Sequence, residues 1–292
     1  MFKSRCFLIF FILSFSILLG WLILVPNVDT NHGLWNEKVI FVGGCPRSGT
    51  TLMRALLDAH DDVRCHGETR VIPYLLSILT FWERKDHKEM LDDAGVTRDV
   101  LNKAVRSFIS EIIVNHGDKA PIYCNKDPLN LSHANRLHEM FPKSKFILMI
   151  RDGRATVHSI MSREVPVSGF SFTNQTKSLM AWNLLIDNMV LECKSIGAEN
   201  CLMVHYEKLV THPQEELERI VSFLQIPFQN QLLHHEELIG KDVKLIEGEW
   251  STDQVKEKIN SDALNKWKDF YDPDVIKNID KLAPMLRNLG YL

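Results

Sequence analysis

Neither sign of charge is in excess in this chain: 34 lysines and arginines stand against 37 aspartates and glutamates, a net charge of −3 at pH 7. So even a balance removes the electrostatic argument for a nucleic-acid partner. No segment repeats another and no low-complexity tract interrupts the chain. The twelve histidines include no His-Glu-x-x-His, and His234-His235 are neighbours, a poor arrangement for one metal site. No metal is therefore expected. Also missing is the lysine of a nucleotide-hydrolysing loop. In Phe41-Val42-Gly43-Gly44-Cys45-Pro46-Arg47-Ser48-Gly49-Thr50-Thr51, Gly44 and Gly49 stand where a Walker A loop puts its glycines, but Thr50 takes the lysine position.

What remains is an ordinary globular composition, 45% hydrophobic and 24% charged, with one exception at the start. From Cys6 to Val25 runs an uncharged stretch of about 20 residues, enough for one membrane-crossing helix. Lys3 and Arg5 precede it, which predicts a cytosolic tail (1–5), a signal anchor (6–25), a short stem (26–38) and a luminal body (39–292). A cleaved signal peptide is the alternative. A luminal body permits disulfides. Cys193 and Cys201 flank a short turn and could close a local loop, while Cys65 and Cys124 could tie two neighbouring segments; five small buried thiols is the other reading. Asn130-Leu131-Ser132 and Asn174-Gln175-Thr176 are glycosylation sequons, usable only where exposed.

Through the body, strand-like and helix-like segments alternate. Strands are predicted at Val39–Val42, Ile122–Cys124, Lys145–Ile150 and Leu202–Val204. Helices are predicted from Thr50 to about Ala59, at Arg70–Trp82, Thr97–Asn115, Ser132–Met140, Gly153–Met161, Thr176–Lys194, Pro213–Leu224, Phe228–His235, Ala263–Phe270 and Asp274–Leu289, with a loop at Lys241–Ser261. Such alternation implies one α/β domain, a P-loop-like parallel sheet with helices on both faces.

Two anion sites follow from this order. At the first, an apolar strand turns through a glycine-bounded loop into a helix N-terminus, where backbone N–H groups and the helix dipole converge. Arg47 supplies the cation that Thr50 does not. At the second, Phe146–Ile150 runs into Arg151, at the strand end where open α/β sheets bind ligands. Ser159 and Arg163 follow one turn apart on the next helix. Guanidinium groups converging with a hydroxyl suit a phosphate monoester. Two separated phosphate sites without the Walker lysine point to a nucleotide phosphorylated at both ends of its ribose, the shape of 3′-phosphoadenosine 5′-phosphosulfate.

At this point the chain resembles the Golgi protein-tyrosine sulfotransferases, over nearly everything from Val39 to Tyr291. The densest blocks are Phe41–Thr51, Asp58-Ala59-His60, Glu68-Thr69-Arg70-Val71-Ile72-Pro73, Cys124-Asn125-Lys126-Asp127-Pro128, Arg151-Asp152-Gly153-Arg154-Ala155, His234–Lys241 and Ser251-Thr252-Asp253-Gln254-Val255. The resemblance implies the sulfotransferase fold and a Golgi, single-pass type II homodimer. The implied substrates are secretory-pathway proteins with tyrosines in acidic surroundings. It assigns Glu68 as general base and Arg47, Lys126 and Ser251 to the sulfuryl group and leaving oxygen. Ser48, Gly49, Thr50 and Thr51 go to the 5′-phosphosulfate; Arg151, Ser159 and Arg163 to the 3′-phosphate; Tyr206 and Lys266 are further donor contacts, and Arg70 reads the acceptor. It also pairs Cys65 with Cys124 and Cys193 with Cys201.

The chain departs from that pattern in three places. Cys45 replaces a small aliphatic residue, and a thiol there is tolerated but oxidisable. Tyr74 stands where the family carries a second acceptor-reading arginine, and Met90 lies near a further basic position, with Lys85 and Lys88 as possible substitutes. The acceptor groove is therefore expected still to favour acidic flanks, but less strongly or in a shifted register. Three rivals are a Golgi carbohydrate sulfotransferase, a luminal P-loop kinase and a non-catalytic membrane-anchored binding protein. The Glu68–Arg70 and Ser251–Val255 blocks speak against the first, Thr50 against the second, and the joint presence of Glu68, Lys126 and Ser251 against the third.

Overall fold

The strand β1 (Val39–Gly44) shows how this chain builds its core. Its six residues are all buried, and alternate side chains face opposite ways. Phe41 stacks on Phe146 and meets Phe141 in one apolar cluster, while Ile40 and Val42 enter a second cluster with Met53, Leu56 and Ile147. A strand buried on both faces is a central parallel strand. The computed structural model describes Leu34 and residues 38–292 apart from Glu247. The cytosolic tail, the signal anchor and most of the stem lie outside those residues. Among the described residues no helix is long and apolar enough to cross a membrane.

After β1 the chain forms α1 (Thr50–Asp58), β2 (Val63–His66), α2 (Val71–Trp82), α3 (Lys85–Asp93), α4 (Arg98–Asn115) and β3 (Ile122–Lys126). Then come α5 (Ala134–Met140), β4 (Lys145–Ile150), α6 (Gly153–Ser162), α7 (Gln175–Ser195), β5 (Cys201–His205), α8 (Tyr206–Thr211) and α9 (Pro213–Leu224). The strands pair in parallel in the order β2-β3-β1-β4-β5. β1 thus lies where the strand order reverses, and ligands of open α/β sheets bind outside the strand ends at that crevice. The predicted α/β sheet is present, with one addition: β2 is too short and too charged for its alternation to stand out.

The C-terminal quarter differs from the sequence expectation. Phe228–His235 is a 3₁₀ segment over Asn230–Leu238, kinked at His234. Ala263–Phe270 is a run of turns, because the Ala263 carbonyl that a helix would give to Trp267 accepts from Arg151 at 3.1 Å instead. Asp274–Leu289 is not one helix but three, α10 (Pro273–Lys277), α11 (Ile279–Leu282) and α12 (Met285–Asn288). Pro284 has no N–H to continue α11 into α12.

Two disulfides are formed, Cys65–Cys124 and Cys193–Cys201. The first joins directly opposed residues of β2 and β3, and Lys126 is two residues beyond it. Replacing both Cys65 and Cys124 by serine is expected to lower stability by about 2–5 kcal/mol, read as the urea midpoint of the oxidised parent against the double variant. Cys45 is free and buried in the β1 cluster, and burial pushes its thiol well above the ordinary range. A thiol so held is poorly nucleophilic. Asn130 is also buried, its amide donating to Asn125 Oδ1 at 2.5 Å, so the first sequon fails the exposure condition. Asn174 is exposed and caps α7, its Oδ1 accepting from Lys177 N at 2.8 Å.

Candidate active site

The anion loop leaves β1 at Gly44 and enters α1 at Thr50. Gly49 caps the helix at φ 100°, and a Cβ there would lie 2.5 Å from the Tyr206 ring, so both conformation and space require glycine. α1 has no side-chain cap and no acid in its first turn, which leaves its N-terminal N–H groups available to an anion. The Ser48 hydroxyl is buried in this loop without a protein partner, as is Arg151 Nε beyond β4.

A cavity of about 290 Å³ opens over α1. Its wall includes Gly49, Thr50, Thr51, Arg151, Arg163, Tyr206 and Lys266. Arg151 lies on the Tyr206 ring at 4.6 Å and donates to the Arg47 carbonyl at 2.8 Å. Ring stacking and a carbonyl bond fix the guanidinium plane. The Arg47 guanidinium is held down to about 10, by burial first and then by Arg163 and Arg151. Three guanidinium groups held this close create a locus that favours a multiply charged anion. Asp253, Glu257 and Asp262 share the wall, with Asp253 paired to Lys256 at 3.0 Å.

A second cavity, of about 460 Å³, adjoins the first, and Arg47, Thr50, Thr51 and Ser251 line both. Its own wall carries Glu68, Arg70, Asp127 and Glu249 and is otherwise largely apolar, with Pro73, Tyr74, Leu129, Val165 and Trp250. Lys126 emerges from β3 fully buried and is bracketed by carboxylates. Its Nζ reaches Glu68 Oε1 at 2.6 Å and Glu249 Oε2 at 3.0 Å, with Thr51 Oγ1 at 3.4 Å. Arg70 Nε lies 3.6 Å from the other oxygen of Glu68. The Glu68-Thr69-Arg70 turn is fastened to the end of β3 by Asp127, which accepts from Thr69 Oγ1 at 2.6 Å and from Arg70 N at 2.9 Å.

Residues 39–230 match the model of the sulfotransferase family. Protein-tyrosine sulfotransferase A of Caenorhabditis elegans is 52% identical over 253 residues, covering 86% of this chain and 67% of that protein. Protein-tyrosine sulfotransferase 1 of Danio rerio is 50% identical, covering 87% of this chain and 72% of the relative, and the human protein of the same name is 49% identical, covering 87% and 69%. The chain belongs to the protein-tyrosine sulfotransferase family. The fold is also that of more distant sulfotransferases. The sulfotransferase domain of a Synechococcus olefin synthase superposes with a TM-score of 0.62 at 19% identity, covering 86% of this chain and 95% of that domain. A mouse sulfotransferase solved in complex with PAP superposes with a TM-score of 0.53 at 13% identity, covering 87% and 84%.

Of the residues expected in this sulfotransferase site, the structure gathers Arg47, Thr50, Thr51 and Ser251 on the wall shared by the two cavities, with Glu68 on the second alone; Ser48 and Lys126 line neither, and Lys126 touches the walls through Glu68 and Thr51. Arg151, Arg163, Tyr206 and Lys266 lie on the first cavity alone. Ser159 reaches neither wall; its hydroxyl accepts from Arg47 Nε at 3.0 Å, an arginine-orienting contact. Met90 is exposed on α3 and Lys88 pairs with Asp92 at 2.5 Å; neither they nor Lys85 lines the second cavity. Sequence reasoning missed Glu249 and Asp127. Both are single acids whose partners are settled by tertiary contact; the only signal was that Asp127 lies within the Cys124–Pro128 block and Glu249 just before the Ser251–Val255 block.

Proposed function

We propose that this enzyme transfers the sulfuryl group of 3′-phosphoadenosine 5′-phosphosulfate to the phenolic oxygen of protein tyrosines. The observation that carries the reading is the junction itself, where one wall of Arg47, Thr50, Thr51 and Ser251 divides a cavity with Arg151, Arg163 and Lys266 from one with Glu68, Asp127 and Glu249. The orphaned Ser48 hydroxyl and Arg151 Nε fit a ligand with anionic groups at both ends. When bound, the donor supplies the sulfuryl group. Thr50, Thr51 and the α1 N-terminus receive its 5′ end, where Ser159 orients Arg47; Arg151 and Arg163 receive the 3′-phosphate; Tyr206 and Lys266 complete the wall.

A tyrosine phenol, with an ordinary pKa of about 10, must lose its proton as it attacks. Glu68 stands on the acceptor side to take it. A new phenol oxygen–sulfur bond forms in line as the bond from sulfur to the 5′-phosphate oxygen breaks, and adenosine 3′,5′-bisphosphate leaves. Arg47, Lys126 and Ser251 neutralise charge growing on the sulfuryl and leaving oxygens. The chain acts on secretory-pathway proteins from the Golgi lumen, anchored by residues 6–25 as a homodimer, with Asn174 as the usable sequon.

The test uses the whole 292-residue chain in detergent and labelled sulfate on the donor. Label should enter a Tyr peptide and neither its Phe counterpart nor an oligosaccharide. Glu68→Ala should lower kcat by about 10²–10⁴-fold, and unchanged turnover in that variant removes the base. Label on the sugar instead would move the enzyme to the carbohydrate branch.

Acidic flanks are favoured through Arg70, more weakly than by a groove with a second arginine. Tyr74 is 74% exposed on the cavity rim and brings no charge. Tyr74→Arg should raise the kcat/KM ratio of acidic over neutralised peptides by roughly fivefold, the size of one partly exposed ion pair. An unchanged ratio would remove Tyr74 from acceptor selection.

A further inference from the structure

Lys126 has no exposed surface, and Glu68, offered above as the proton acceptor, is one of its two counterions. That creates a difficulty. Once Glu68 takes the phenol proton it no longer neutralises the ammonium, and a buried cation stripped of its partner is strongly disfavoured. Glu249 answers it. Its side chain is 3% exposed, on the loop that also carries Trp250 and Ser251. One oxygen accepts from Lys126 Nζ at 3.0 Å and the other from the Glu68 backbone N–H at 3.0 Å. The loop presses on this turn closely enough that a Cβ on Gly67 would strike Ile246 at 1.8 Å and come within 3.2 Å of Glu249 Oε1.

We propose that Glu249 is a positioning residue for sulfuryl transfer: it remains the counterion of Lys126 while Glu68 is protonated, and it fixes the main chain from which Glu68 projects. The inference rests on the general-base reading of Glu68. The cluster of Lys126, Glu68 and Glu249 carries one net negative charge before proton transfer and none after it. Lys126 is compensated in both states. Burial alone would raise the Glu249 carboxyl, but Lys126, Arg54 and the Glu68 N–H outweigh burial and hold it below its ordinary value, so it stays ionised through the cycle. The charged groups facing Glu68 are Lys126 from β3, Arg70 and Asp127 from its own turn and the end of β3, and Glu249 from the late loop.

The sign of the effect follows. Glu249→Gln removes a negative charge near Glu68 and leaves the ammonium's field to Glu68 alone, which makes Glu68 a weaker base. With labelled donor and a Tyr peptide, kcat should fall about 30–100-fold while the donor KM changes less than threefold. The acidic limb of the kcat profile should move to lower pH. Glu249→Asp keeps the charge and should return the limb to the parent position. Melting temperatures with and without adenosine 3′,5′-bisphosphate report folding of each variant. A kcat within threefold of the parent overturns the proposal, as does a fall in kcat with the limb unmoved, which would mark Glu249 as packing only. So does an aspartate variant as impaired and as shifted as the glutamine one. Glu68→Gln is run alongside: if it turns over like the parent, the general-base reading falls first, whereas a dead Glu68→Gln beside a normal Glu249→Gln overturns this inference alone.

Discussion

Lys126→Met is expected to lose activity and stability together. Methionine fills a similar volume but leaves Glu68 and Glu249 facing one another with no cation between them, in a site where Lys126 is fully buried. Breaking a buried ion pair from one side typically costs about 3–5 kcal/mol. The urea midpoint should fall accordingly at pH 7 and recover part of the difference as pH is lowered toward 5. The sign follows from the pair: with the cation between them gone, two carboxylates repel one another and hold a proton more tightly than in the parent, even with Arg70 3.6 Å from Glu68, so acid relieves the repulsion. Turnover should drop by about 10²–10³-fold even where the variant remains folded, because the cation proposed to neutralise the leaving oxygen is gone. A variant as stable as the parent would show that Lys126 is not the centre of this cluster.

Arg47→Ala should have the larger effect on kcat/KM. Arg47 is the side chain that holds three things at once. Its Nε donates to Ser159, one terminal nitrogen donates to the Trp250 carbonyl at 3.0 Å, and the same nitrogen donates to the Ser251 hydroxyl. Its loss removes a cation from the wall shared by the two cavities and frees the loop that carries Ser251. A fall of about 10³-fold or more in kcat/KM is expected, from lost electrostatic stabilisation and lost positioning acting together. Arg47→Lys should rescue little, since one ammonium cannot reproduce a planar fork that reaches Ser159 on one side and Ser251 on the other. The measurement pairs initial rates with the affinity for adenosine 3′,5′-bisphosphate. A lysine variant within tenfold of the parent would mean that charge alone is what Arg47 supplies.

The halves of the site differ in how far the sequence reveals them. The donor side is local: Gly44, Gly49 and Thr50 are close in sequence and share one strand-loop-helix turn, so residue types and spacing carry the geometry. Arg151 is legible because it terminates an apolar strand. The acceptor side is assembled from distant pieces. Glu249 meets Lys126 across 123 residues, from a polar loop with no periodicity to read. Asp127 lies beside a conspicuous lysine, and only the folded turn shows that its work is to hold Thr69 and Arg70. The C-terminal segment departs from its composition for a related reason: Ala263–Phe270 has helical composition, but its first carbonyl is claimed by Arg151, a competitor that no local propensity registers.

The shared wall has a consequence for inhibitor design. Arg47, Thr50, Thr51 and Ser251 border both cavities, so a nucleotide moiety and a peptide moiety would be separated by a few side chains. A single molecule joining adenosine 3′,5′-bisphosphate to a tyrosine peptide through a short linker would lose its translational freedom once for two binding events. Effective concentrations in the millimolar range are usual for short linkers of suitable span. Its affinity should exceed that of either fragment by orders of magnitude, and the best linker length would measure the distance between the two ligands directly.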